Sequence, residues 1–177
     1  MLPLLVAFTL MMGSGWVSCS YNSPNTAANL PNTPGHAALS FATELDLKDD
    51  TGQSRRVFAA GELIHMILTV RNRLPETVQV DMATSRTYDF IVVRENTDTI
   101  IWQWSNLHPE VRTPTTIAFG PGETQTFEVV WNQLNNAGLP VALGGFEARG
   151  AIVYQGFDIN PMQPNQLASP PVKFVIQ

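Results

Sequence analysis

The chain has only one cysteine, Cys19, among its 177 residues, and charged residues make up only 14% of it. A single cysteine excludes an intrachain disulfide, so the fold is not stapled as small secreted domains often are. In globular proteins, about a quarter of the residues are usually charged. The net charge is -5, and no run of Lys or Arg occurs anywhere. Proteins that bind nucleic acid usually contact its phosphates with clusters of Lys and Arg. Because this chain has no such cluster, we expect no nucleic-acid partner.

Motifs for catalysis, metal binding and cofactor binding are also missing. The three histidines fall in separate segments, without a Cys or a paired carboxylate at ligand spacing: His36, His65 and His108. No serine lies in a nucleophile-elbow motif, and no Gly-rich phosphate loop precedes a helical pattern. We therefore predict a protein that is not an enzyme and has no metal or cofactor. A site assembled in space from distant residues is the one exception to this reasoning.

The first 18 residues contain no charged side chain. Their apolar run at 2–12 is too short to cross a bilayer as a helix, and it fits the apolar region of a secretory signal peptide. The alternative is a buried strand or helix that begins the domain. No Lys or Arg precedes the run, so either the N-terminal amine serves alone or the true start lies upstream.

Cys19 follows Trp16, Val17 and Ser18, which together resemble the lipobox of bacterial lipoproteins. In a lipobox a small residue precedes the cysteine that becomes acylated. Val17 and Ser18 match, whereas Trp16 stands where Leu is usual. The lipidation hypothesis predicts an exported lipoprotein of the bacterial cell envelope, anchored to the membrane by acyl chains. The alternative is an ordinary buried cysteine in a leader.

Differences in amino-acid composition divide the chain into three parts. Residues 1–18 are the predicted signal peptide, and 19–38 are the lipidated cysteine and a tether rich in Asn, Pro, Ser, Thr and Ala. A segment of that composition buries too little apolar surface to order itself, which predicts a flexible tether. Residues 39–177 are the predicted folded domain.

Alternation of apolar and polar residues predicts strands throughout this domain. The predicted strands lie near 41–48, 62–72, 77–82, 117–119, 124–131, 146–154 and 172–176, with a hairpin at 88–104. Gly and Pro separate them, and no segment shows helical periodicity. About eight short strands without crossover helices predict an all-β protein. We expect an immunoglobulin-like antiparallel β-sandwich with no disulfide.

Several separated motifs resemble the intracellular proteinase inhibitor (BsuPI-type) domain family. They are Leu-Thr-Val-Arg-Asn at 68–72, Tyr-Asp-Phe at 88–90, Trp-Gln-Trp-Ser at 102–105, Pro-Gly-Glu at 121–123, and Trp131. The resemblance covers most of 41–154. Two positions depart from the family pattern, because the hairpin turn has no Gly and Phe146 replaces a Tyr.

The resemblance implies an immunoglobulin-like sandwich and inhibition of a serine proteinase. It also implies that five aromatic residues form the core of the family signature: Tyr88, Phe90, Trp102, Trp104 and Trp131. The predicted leader indicates export, in contrast to the location in the family's name. A membrane-tethered inhibitor that acts through a surface loop is therefore the first functional hypothesis.

Residues 105–116 are the candidate inhibitory or binding loop, because they follow a Trp-anchored strand and hold two prolines. An inhibitory loop must be rigid and extended, so that a proteinase binds it without completing the reaction. Leu107 offers an apolar side chain for a primary specificity pocket. The candidate contact residues are Asn106, Leu107, His108, Pro109 and Glu110. The alternative is an ordinary connection between strands that contacts no partner.

A second functional class stays open beside inhibition. In it the domain is a non-catalytic binding or assembly module, whose sheet edges or loops contact another envelope protein. Inhibition in a panel of proteinases distinguishes the two classes.

Overall fold

The computed structural model describes residues 28–29, 40–153 and 167–177. These residues form eleven strands: β1 (Ala28–Asn29), β2 (Phe41–Lys48), β3 (Val57–Phe58), β4 (Ile64–Asn72), β5 (Val78–Met82), β6 (Tyr88–Arg94), β7 (Ile100–Gln103), β8 (Thr115–Phe119), β9 (Thr124–Trp131), β10 (Gly144–Ile152) and β11 (Val172–Ile176). One turn of 3-10 helix, Trp104–Leu107, follows β7. Within the described residues, no helix has the length and apolarity needed to cross a bilayer.

Alternating side chains explain why the strands lie where they do. In β4, four apolar residues on one row are fully buried: Ile64, Met66, Leu68 and Val70. The residues between them are half-buried or exposed. Since successive side chains of a strand point to opposite faces, each strand of this kind contributes one row to the core.

The strands form three sheets around a common core. Their orders are β3-β11-β10-β6-β7, β2-β4-β9 and β1-β5-β8. One hydrophobic cluster takes side chains from all three, including Leu68, Val80 and Phe146. At Gly150 of β10, a Cβ atom would lie 3.0 Å from the ring of Phe90 in the neighbouring strand β6 and 3.2 Å from Leu68 of β4, in another sheet. This arrangement is a β-sandwich of the immunoglobulin type, so the predicted fold is confirmed.

Aromatic rings fill the middle of the core. Trp131 lies 5.9 Å from Trp102, 6.3 Å from Phe146 and 6.2 Å from Phe174, centroid to centroid. The indole N–H of Trp131 donates to the carbonyl of Leu134, so its one polar atom is satisfied. Large rings at these separations bury a large apolar area, and the core needs no disulfide to hold it.

Two short strand pairs differ from the predicted antiparallel pattern. β1 pairs in parallel with β5, and β3 pairs in parallel with β11. Each pair spans only two residues, and each adds a strand to one edge of a sheet. The rule that parallel strands need a crossover helix applies to strands that follow each other in one sheet, whereas these come from distant parts of the chain.

Several predictions about the N-terminal part lie outside the described residues. These include the signal peptide at 1–18, the lipidation of Cys19 and nearly all of the tether at 20–38. The backbone pairing of Ala28 and Asn29 with Val78 and Gln79 is the one described feature within the predicted tether. The division into leader, tether and domain therefore stays a prediction.

Candidate functional site

Two loops meet at the end of the sandwich where β6 begins. One is 83–87, which leads into β6, and the other is 105–114, which joins β7 to β8. Ser85 links them, because its N–H donates to the carbonyl of Val111 at 3.0 Å and its hydroxyl accepts from the Val111 N–H at 3.0 Å. We call these segments together the two-loop end.

The first anchor of loop 105–114 is a buried carboxylate. Asp89, in β6, has 0% of its surface exposed. Its Oδ1 accepts the Ser105 N–H at 3.1 Å, and its Oδ2 accepts the Ser105 hydroxyl at 2.8 Å and the Gln103 amide at 2.6 Å. A buried carboxylate needs this many donors to offset its desolvation. Asp89 thus fixes the point where β7 ends and the loop begins.

Aromatic stacking continues from this anchor into the loop. The Trp104 ring lies 5.0 Å from Tyr88 on one side and stacks on His108 at 4.1 Å and 10° on the other. The His108 Nδ1 lies 2.8 Å from the carbonyl of Trp104, so Nδ1 carries the proton and donates. The first residues of the loop therefore lie in one defined turn.

The second anchor holds the far part of the loop against 83–87. Glu110 accepts a hydrogen bond from the Thr84 hydroxyl at 2.8 Å. The Arg86 Nε lies 3.4 Å from the same carboxylate, and the Arg86 Nη1 lies 3.7 Å from Asp89. Together with the two Ser85–Val111 bonds, these contacts fix the backbone at 110–111.

Leu107, His108 and Pro109 lie between the two anchors. The Leu107 side chain is 56% exposed, and His108 and Pro109 are exposed as well. Asn106 and Leu107 belong to the 3-10 turn, which differs from the extended loop that the sequence analysis required. The turn forms because Asp89 takes Ser105 out of the strand and the His108 N–H donates to the Ser105 carbonyl. His108, directly after the turn, has φ -129° and ψ 87°.

The five aromatic residues of the family signature lie at two depths. Phe90, Trp102 and Trp131 are buried, whereas Tyr88 and Trp104 are half-buried beneath the two-loop end. Tyr88 also contacts Phe127, with ring centroids 5.2 Å apart. The half-buried pair supports the loop from below, which links the signature to the candidate loop.

Sequence reasoning missed the residues that anchor the loop. Asp89 and Ser105 stand within the quoted motifs, yet the alternation of β6 placed Asp89 on an outward row. Ser85, Arg86 and Val111 carried no motif at all. The signal that could have found Asp89 is the pairing of the Tyr-Asp-Phe and Trp-Gln-Trp-Ser motifs on adjacent strands, since one supplies a carboxylate and the other a hydroxyl.

Asn72 is a second buried polar residue that explains a family motif. Its side-chain amide donates to the carbonyls of Glu76, Phe119 and Gly120, and its oxygen accepts the Leu74 N–H at 2.9 Å. The asparagine at the end of β4 therefore joins the segment that follows β4 to the end of β8. Its role in the structure is to hold loops.

The outer face of the sheet β2-β4-β9 carries an ion pair with histidine. The His65 Nδ1 lies 2.8 Å from Glu128, and its Nε2 lies 3.1 Å from Asp50. The hydrogen bonds with Glu128 and then Asp50 raise the pKa of His65 above its ordinary value. The side chain is partly exposed, and in the described part of the chain no group of three acidic, His or Cys side chains could hold a metal.

A groove of about 370 Å³ lies at the opposite end of the sandwich. Its lining comes from the β6–β7 turn and from the loop before β10, and includes Arg94, Ile101, Val141 and Phe146. The Arg94 guanidinium lies 4.8 Å from the ring centroid of Phe146 and donates to two carbonyls of that loop. Arg94 is thus already engaged in holding the loop.

Comparison with solved structures gives distant likenesses. A β-glucosidase from Erythrobacter marinus is 12% identical over 78% of this chain, with a TM-score of 0.44, and the match spans 15% of the enzyme. A CARDB domain from Pyrococcus furiosus is 13% identical over 77% of this chain and 94% of that domain, with a TM-score of 0.41. The C-terminal domain of wzt is 9% identical over 78% of this chain and 74% of that chain, with a TM-score of 0.46. No curated protein matches the chain.

The family comparison is more informative. The model of the intracellular proteinase inhibitor domain, BsuPI, matches residues 53–156, which is more than half of the chain. This range contains both loops of the two-loop end and the residues that anchor them. It describes a family of inhibitors and not of enzymes. The chain belongs to the intracellular proteinase inhibitor (BsuPI) family.

Proposed function

We propose that this protein is an exported, membrane-tethered inhibitor of a serine proteinase and that it binds the proteinase through loop 105–114. The observation that carries the proposal is the double anchoring of this loop. Asp89 holds its first residue, Ser105. Thr84 holds Glu110, and Ser85 holds Val111. Between the anchors, Leu107 projects an apolar side chain into solvent.

Double anchoring matters because ordering a mobile loop on binding costs free energy. A loop that already has its bound conformation loses little entropy on contact with a partner. Pro109 restricts the backbone between the anchors further. An exposed leucine on such a loop suits the apolar primary pocket of a subtilisin-like proteinase, and Leu107 is the residue we assign to that pocket.

Export and lipid anchoring complete the proposal. The charge-free run at 2–12 and the lipobox-like residues before Cys19 support them. Acyl chains on Cys19 hold the domain at the surface of the cell envelope without a transmembrane helix. The proteinase partner is then one that acts at the same surface.

A proteinase panel tests the function directly. The purified full chain is titrated into a subtilisin-like, a trypsin-like and a chymotrypsin-like serine proteinase, and hydrolysis of a small substrate is followed. We expect dose-dependent inhibition of at least the subtilisin-like enzyme. A chain that leaves all three enzymes fully active contradicts the proposal, whether or not the chain itself resists digestion.

The 3-10 turn favours one second candidate. An inhibitory loop is extended where it enters the proteinase, whereas Asn106 and Leu107 lie in a helical turn. A non-inhibitory binding module, which contacts another envelope protein through the same rigid surface, has no need of an extended backbone. Resistance to digestion without inhibition in the panel identifies this second candidate.

A further inference from the structure

Arg86 stands between the two anchors of loop 105–114. Its Nη1 lies 3.7 Å from the Oδ2 of Asp89, which holds Ser105 at the start of the loop. Its Nε lies 3.4 Å from the Oε2 of Glu110, at the far side of the exposed span. One guanidinium therefore faces both the Asp89 carboxylate, which holds the first residue of the loop, and the Glu110 carboxylate within the loop.

The Arg86–Asp89 contact is shielded from water, whereas Glu110 is exposed. The Arg86 side chain is 17% exposed, Asp89 is 0% exposed and Glu110 is 39% exposed. Charges that are shielded from water interact more strongly than exposed ones, and the fork of a guanidinium can contact two carboxylates at once. The backbone N–H of Arg86 also donates to the Thr84 hydroxyl at 3.2 Å.

We propose that Arg86 is a positioning residue that holds the two ends of loop 105–114 at a fixed separation and thereby keeps a bound loop an inhibitor rather than a substrate. This inference rests on the proposed function. It goes beyond that function because it names the residue that separates inhibition from digestion.

The chemistry explains why the separation matters. When a proteinase hydrolyses the bond between Leu107 and His108, water adds across it and leaves a carboxyl group on Leu107 and an amino group on His108. If both new ends stay in place, the amino group can attack again, and the bond re-forms with release of the water. If the ends separate, the cut loop leaves as product. The Ser105–Asp89–Arg86–Glu110 chain of contacts keeps them in place.

Hydrogen exchange of the free protein tests the positioning role without any proteinase. Arg86→Met removes both ion pairs and keeps the apolar stem. We expect backbone amides at 105–113 to exchange about tenfold faster, which corresponds to ~1.4 kcal/mol in the free energy of local opening. Amides of β9 should exchange as in the wild type. Arg86→Lys retains the charge, and its exchange rates at 105–113 should lie between those of the wild type and those of Arg86→Met.

A second measurement with the same variants tests the consequence for inhibition. Intact mass follows cleavage in the loop during incubation with a subtilisin-like proteinase, and Arg86→Met should be cut at least about tenfold faster than the wild type. Arg73→Met is the matched control, because the Arg73 side chain is exposed and its backbone N–H, not its side chain, bonds to Ser40. It should match the wild type in both measurements.

The outcomes separate this inference from the proposed function. Unchanged exchange at 105–113 in Arg86→Met overturns the positioning role, whatever the proteinase panel gives. Faster exchange with an unchanged cleavage rate overturns the link to inhibition. Faster exchange in a protein that inhibits no proteinase supports the positioning of the loop, but it overturns the proposed function and with it the role of Arg86 in inhibition.

Discussion

Buried polar residues hold loops of the sandwich in place. Asp89 and Asn72 are fully buried, and each joins chain segments that are distant in sequence. Removing either would leave donors or acceptors buried without partners, which costs about 1–3 kcal/mol for each group. The family motifs at 68–72, 88–90 and 102–105 therefore have a physical reason. They specify where loops begin and end.

His65 is the residue whose charge most clearly couples to pH. Its pKa is raised by the hydrogen bonds with Glu128 and Asp50, so the folded state binds its proton more tightly than the unfolded chain does. Such a group stabilises the fold fully below its unfolded pKa of 6.5, and that contribution is lost as the pH rises through the higher folded pKa.

We expect the substitution His65→Gln to reveal this dependence. The difference in unfolding free energy between the wild type and His65→Gln should be larger near pH ~5.5 than near pH ~8.5. Urea unfolding at the two pH values measures it. Equal differences at both, or a larger one at the higher pH, would show that the ion pair does not form in solution.

Two carboxylates, Asp49 and Glu123, affect the pH dependence of stability in the opposite direction. The pKa of Asp49 is lowered, first by its hydrogen bond with the Thr51 hydroxyl, and the pKa of Glu123 is lowered, first by the N–H of Gly120. Groups of this kind stabilise the fold above their unfolded pKa, and the contribution is lost as the pH falls through the folded one. His65 and these carboxylates thus limit stability from opposite directions.

At the scale of elements, strands with one buried row were predictable. β2 and β9 have the bounds that alternation predicted, because each has one face on the core and the other on solvent. β6 departs from this pattern, since Asp89, Ile91 and Val93 are buried as well as Phe90 and Val92. Ile91 and Val93 form a second cluster with Ala151, on the far side of the sheet. A strand that is covered on both faces has buried residues on both rows. The alternation of apolar and polar residues therefore does not show which of them are buried.

The candidate loop was predictable in place but not in conformation. Ile100, Trp102 and Trp104 share a period of two, which predicts a strand through Trp104. The structure ends β7 at Gln103, because a carboxylate from the neighbouring strand captures Ser105 and Trp104 turns onto Tyr88. Only tertiary contacts supply this information. The short strand β3 was missed for a similar reason, since its two residues pair with the distant β11.

At the scale of the whole molecule, the residue just before β2 lies beside the end of β4. The Arg73 N–H donates to the Ser40 carbonyl, just before β2, and the Asn72 amide reaches Phe119. A tether of residues 20–38 spans at most ~3.3–3.6 Å for each residue. Its 19 residues therefore let the domain lie up to ~60–70 Å from the proposed anchor at Cys19.

Lipid anchoring predicts a defined N-terminus. Protein extracted from membranes should begin at Cys19 and carry the added mass of acyl chains, because the modification follows cleavage before that residue. Cys19→Ala should leave the protein out of the membrane fraction, and intact mass and fractionation measure both. A wild-type N-terminus upstream of Cys19 with a free thiol would exclude the anchor.

The central claim is that a proteinase binds loop 105–114 through Leu107, and one pair of variants tests it most directly. Inhibition constants for a subtilisin-like proteinase are compared for the wild type, Leu107→Asp and Leu139→Asp. Leu139 is a matched control, because it is 61% exposed against 56% for Leu107 and lies in a different loop, between β9 and β10. We predict that Leu107→Asp weakens inhibition about 100-fold or more, as expected for an interface hot spot, while Leu139→Asp leaves it unchanged. Equal inhibition by Leu107→Asp and the wild type would contradict the claim.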